Sequence, residues 1–149
     1  MTDEQVILTA RLNEILADTP ELADVERRDR IVSDLIRGDD DTKASATDEV
    51  YELWLEVMYV MAEKSLRLSD EHSEDSMLSL IAERLLNALR LLNFTYQNLD
   101  LDIPSFRGLL FTGDPKSARK AIRQIMTIIE IAVERVRRIR MERYASPEP

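Results

Sequence analysis

Glu49, Glu52, Glu71 and Glu74 form two pairs at i,i+3 spacing, and each pair shares one face if its segment is helical. Carboxylates grouped this way are the oxygen ligands a divalent cation takes. The one histidine, His72, stands five residues after Arg67, a pairing in which imidazole serves as general acid or base and guanidinium holds a phosphate. Other chemistries are closed off. There is no cysteine, so thiolate metal sites, thiol nucleophiles and disulfides are excluded. A serine triad lacks a second choice of histidine, and no glutamate lies three residues before His72, as a di-iron bundle needs. The three glycines stand alone at 38, 108 and 113, so no phosphate-cradling loop exists. Asp39, Asp40 and Asp41 are consecutive, without the spaced ligands and glycine of a calcium loop. No cofactor is implied.

Two of these patterns have a family likeness. Glu49-x-x-Glu52 with Glu71-x-x-Glu74 resembles the E-x-x-E plus E-x-x-D pattern of MazG-like, all-α nucleotide pyrophosphatases, with Glu74 in place of the aspartate. The resemblance implies a shared magnesium ion. Helix geometry argues against it: if the pairs open two successive antiparallel helices, those ends lie about 30 Å apart. Arg67-x4-His72 resembles the motif of HEPN-domain ribonucleases, which are all-α and often dimeric. That likeness implies metal-independent RNA cleavage using Arg67 and His72. Leu68 departs from the polar residue common after the arginine, and the motif lies mid-chain rather than near the last helix. Asp70, Glu71, Glu74 and Asp75 surround His72 with charge that repels RNA. A solvated acidic loop is the expectation, with the ribonuclease as the enzymatic alternative.

Two basic clusters sit on the last predicted helix. Lys116, Arg119 and Lys120 fall in its first turns, where the positive end of the dipole disfavours cations. With the Ser117 hydroxyl and open backbone N–H groups they outline an anion site, unless they pair locally with Asp100, Asp102 and Asp114. At the other end, Arg135 and Arg138 flank a Val136–Ile139 stripe on one side and Arg137 and Arg140 on the other. An apolar stripe with flanking charge is the pattern of a helix docking against another protein. Arg135, Val136, Arg138, Ile139 and Arg140 are therefore the expected interface, with an acidic groove on a second copy of the chain or on a different protein as the expected partner.

The elements must place these groups. The chain has 149 residues and a net charge of −9, which suits one domain over 1–149 and disfavours a general nucleic-acid binder. A subunit of a nucleic-acid-containing complex remains as a third class. The acidic start and the lack of any long apolar run predict no signal peptide, no membrane span and a cytoplasmic location. Apolar periodicity predicts an all-α, compact helical bundle of about five helices with a long C-terminal helix. The first covers 3–17. The second, capped by Thr19 with Pro20 in its first turn, runs to Arg37 and is stopped by Gly38; its Glu26–Arg30 stretch is too charged to be buried. A loop over 38–45 precedes a third helix from Ser45 or Thr47 to about Leu68. The fourth begins between Asp70 and Ser76 and ends near Leu99, with Leu78, Ile81, Leu85, Ala88 and Leu92 as its seam, widened by Met77, Leu86, Leu89 and Phe94. Ser105–Phe111 reads as one short turn. The fifth, from Asp114-Pro115 to about Tyr144, carries an unbroken three-four seam of Ala118, Ile122, Ile125, Ile129, Ala132, Val136 and Ile139. No catalytic groups converge in this reading. The expected function is a non-catalytic protein-interaction module that self-associates through the C-terminal helix.

Overall fold

The computed structural model describes residues 2–71, 76–103 and 115–144. Among them the chain is all-α, with five α-helices and no strand. These are α1 (Asp3–Leu16), α2 (Val25–Arg37), α3 (Asp40–Glu71), α4 (Ser76–Thr95) and α5 (Pro115–Tyr144). Single 3-10 turns cover Pro20–Leu22 and Gln97–Leu99. No helix among the described residues is long and apolar enough to cross a membrane.

The helices start where side chains satisfy their first N–H groups. At α1, Thr2 accepts from the Gln5 amide (3.3 Å) and the Gln5 side chain accepts from the Thr2 amide (2.9 Å), a reciprocal capping box. The second helix does not begin at Thr19 and Pro20. Pro20 fits a 3-10 turn, Ala23 is extended, and Asp24 accepts from the Arg27 amide to start α2. A carboxylate beside the positive end of a helix is the better cap, and the Thr19 side chain makes no capping bond. The expected 38–45 loop shrinks to Gly38 and Asp39. Asp39 accepts from the Thr42 amide at 2.8 Å, and that bond holds its carboxyl below the usual range. Asp40 and Asp41 then occupy the first turn of α3, where the dipole favours anions. The connection is tight: a Cβ at Gly38 would meet the Asp34 carbonyl at 2.5 Å and Thr42 Cγ2 at 2.7 Å.

Contacts divide the chain into two units. Unit 1 comprises Met1–Val57 and Val133–Pro149, and unit 2 comprises Met58–Ala132, so α3 and α5 contribute to both. The core of unit 1 is Leu12, Leu16, Ile31, Val32, Leu53 and Val57, with Leu8, Ile15, Leu22, Leu35, Ile36 and Val50 half-buried against it. The amphipathic spacing of α1 and α2 delivers these residues to one side. In unit 2 the predicted seams are buried along α4 (Leu78, Leu85, Leu92) and α5 (Ala118, Ile122, Ile125, Ile129, Ala132), and Leu86 and Leu89 are buried too. Met77 and Phe94 do not widen the α4 seam: they are 57% and 78% exposed. Nor does α4 reach Leu99. It ends at Thr95, and Asp100 adopts a left-handed φ of 43°. The Asn93 side chain clamps the turn, donating to the Leu101 carbonyl (3.2 Å) and accepting from its amide (3.0 Å). The Ser105–Phe111 turn and the Asp114 cap lie outside the described residues.

Candidate functional site

Among the described residues the densest polar assembly is a set of carboxylates and guanidiniums inside unit 1. Glu49, Glu52 and Glu56 recur at i, i+3 and i+7 on α3, which aligns them in one stripe. Each of two other helices supplies an arginine pair at i,i+3: Arg27 and Arg30 from α2, Arg137 and Arg140 from α5. Arg27 bridges Glu49 (3.1 Å) and Glu56 (3.3 Å), and Arg30 grips Glu49 with both terminal nitrogens. Arg137 bridges Glu52 (2.6 Å) and Glu56 (2.7 Å). Arg140 lies 3.2 Å from Glu52 through Nη1 and Oε2, both buried, but without hydrogen-bond alignment, so their attraction is Coulombic. The second helix is charged in sequence, yet the Arg27 side chain is only 26% exposed because it turns inward to α3.

Burial is graded across this cluster. The Glu52 side chain is 4% exposed, Glu49 12% and Glu56 21%. Burial pushes the Glu49 carboxyl up, but hydrogen bonds from Arg30 and Arg27 outweigh it and hold it below the usual carboxylate range. Arg30 and Arg137 are raised by their hydrogen bonds to Glu49 and Glu52. Three negative and four positive charges are thus locked together. Every carboxylate oxygen of the group except Glu52 Oε2 already accepts a hydrogen bond from arginine. Among the described residues no group of three or more histidine, cysteine, aspartate or glutamate side chains is placed to hold a metal.

The other sequence-derived candidates disperse. Glu49 and Glu52 do not open their helix but lie inside α3, and Glu71 ends that same helix rather than opening the next. Glu74 and His72 lie outside the described residues. Arg67 is 69% exposed and bonds Glu63 one turn back on α3 at 2.7 Å. Arg119 turns to the end of α3 in unit 2, donating to the Ser69 carbonyl (2.9 Å) and hydroxyl (3.1 Å). It serves as a C-terminal cap there, while Lys116 and Lys120 are exposed and Ser117 is half-buried. At the end of α5 the expected interface also separates. Val136 is buried at 2% exposure, Ile139 and Arg135 are half-buried, and Arg140 faces Glu52. Only Arg138 is largely exposed, bonded to Glu134 one turn back.

One exposed apolar surface escaped the sequence reading. On α4, Leu80 and Leu91 join Met77 and Phe94 as large apolar side chains facing solvent, at 43% and 62% exposure. Their spacing of three and eleven is helical, and this signal was present but merged with the buried seam. No family model, no curated protein and no solved structure matches this chain.

Proposed function

We propose that this protein is a non-catalytic, cytoplasmic helical module whose role is to bind protein, including a copy of itself, as a regulatory or structural subunit. The observation that carries the reading is the exposed apolar face of α4, with Leu91 and Phe94 at 62% and 78% exposure. Large apolar groups exposed in a row favour a protein partner over solvent. Further support comes from the acidic set of Glu49, Glu52 and Glu56, whose carboxylates are engaged by four arginines. The net charge of −9 favours a protein partner over nucleic acid. Light scattering across a concentration series tests the reading. A mass rising towards twice the 17.2 kDa of the chain is expected. A constant monomer mass up to the highest soluble concentration overturns self-association.

A further inference from the structure

Two stripes run along α4. The buried one is Leu78, Ala82, Leu85, Leu89 and Leu92. The second comprises Met77, Leu80, Arg84, Asn87, Leu91 and Phe94, all exposed. At 100° per residue its mean direction lies roughly 150° from the buried stripe, so α4 is bifacial. The exposed positions are spaced three, four, three, four, three, which is the a/d pattern of a coiled-coil seam. It extends over about 26 Å at 1.5 Å per residue.

The seam is also self-complementary. An antiparallel copy centred between Arg84 and Asn87 sets Met77 against Phe94, Leu80 against Leu91 and Arg84 against Asn87, in both directions at once. A two-fold interface demands this reciprocity, in which i meets j and j meets i. The flanking charges agree. Glu83 and Arg90 are exposed and hold equivalent heptad positions beside the seam, so each faces the other across the two-fold axis. A parallel pairing instead stacks Arg84 on Arg84 at the centre and leaves Glu83 opposite Ala88. The arginine and asparagine break an otherwise apolar seam, which is how coiled coils select orientation at a cost in affinity. An open depression of about 630 Å³ beside Arg90, Asn93 and Phe94 lies where this register brings Met77 of the second copy.

We infer that the chain forms an antiparallel homodimer through this face of α4, a proposal that rests on the protein-binding reading and names its partner and surface. A single seam of this length is small against the ~1,000 Å² of a stable interface, so the dimer exchanges readily. The chain has no cysteine, which makes the register directly testable. Full-length Met77→Cys and Phe94→Cys chains, mixed and oxidised, should cross-link to each other and scarcely at all alone. Cross-linking of Met77→Cys to itself overturns the antiparallel register. Leu91→Asp with Phe94→Asp should give a folded monomer by light scattering and circular dichroism. Glu83→Arg should weaken dimerisation roughly tenfold, and adding Arg90→Glu should restore it, because the swapped charges again face each other. A wild-type monomer overturns both this inference and the self-association reading. A wild-type dimer that survives Leu91→Asp with Phe94→Asp overturns the α4 surface alone.

Discussion

Unit 1 and unit 2 use their polar and apolar residues in opposite ways. In unit 1 charge is drawn inward: three glutamates of α3 are engaged by four arginines of α2 and α5, and Glu52 is almost fully buried. In unit 2 the buried residues of α4 and α5 are overwhelmingly aliphatic, while Leu91 and Phe94 face outward. The difference teaches what each unit is built to specify. A buried ion cluster is weak as a source of net stability, because desolvation offsets attraction, yet it is unforgiving of a missing partner. It therefore suits fixed helix registration. Aliphatic burial supplies stability without direction, and an apolar face left over is free to find a second molecule.

The largest effect that sharpens this contrast is expected at Glu52. Glu52→Ala leaves Arg140, itself mostly buried, without its nearest carboxylate, at a cost of about 3 kcal/mol in urea unfolding. That is the lower end for a broken buried pair, because Arg137 is 51% exposed and can rehydrate. By contrast Phe94→Asp in unit 2 should change stability by less than ~0.5 kcal/mol, as surface substitutions do. Equal losses at the two positions would erase the distinction between the units.

A smaller effect should appear with acid. The folded-state pKa of Glu49 is lowered because its Arg30 and Arg27 hydrogen bonds outweigh burial. Its contribution is full above the unfolded value of about 4.3 and is lost as pH falls through the lower folded value. Wild-type stability should fall over that window, and Glu49→Gln should show a shallower fall, read by urea unfolding at stepped pH. An unchanged slope in the variant would mean that Glu49 is not held below the usual range.

How much of this was legible in the sequence depends on whether the cause was local. The seam of α5 was readable because Ile122, Ile125 and Ile129 are spaced for one helix face and are fully buried. The start of α3 was not, because Asp39–Asp41 has the composition of a loop while acting as cap and first turn. The arginine partners of Glu49 and Glu52 were invisible for a different reason. Arg27 and Arg137 are paired across the fold, and no pattern within α2 or α5 says which arginines turn inward. On α4 the difficulty was excess: Met77 and Leu78 are both apolar neighbours, and only packing decides that one is exposed and the other buried.

The smallest expected effect separates two adjacent arginines. Arg137 and Arg138 have the same side chain, the same helix and nearly the same exposure, 51% and 64%. Their partners differ. Arg137 reaches Glu52 and Glu56 on α3, and its guanidinium is held protonated above its ordinary range by the hydrogen bond to Glu52. Among the described residues Arg138 reaches Glu134, one turn back on its own helix. An exposed i,i+4 pair contributes ~0.3–0.5 kcal/mol, and salt screens it. Arg138→Glu should thus lower stability by no more than about that amount. If association runs through α4, it should also leave the dimer intact in light scattering. Arg137→Glu sets a third carboxylate beside Glu52 and Glu56 and should cost several times more. Should Arg138→Glu instead dissolve the dimer while Leu91→Asp with Phe94→Asp does not, the end of α5 would be the contact surface. The inward-facing charge of unit 1 would then extend outward to a partner.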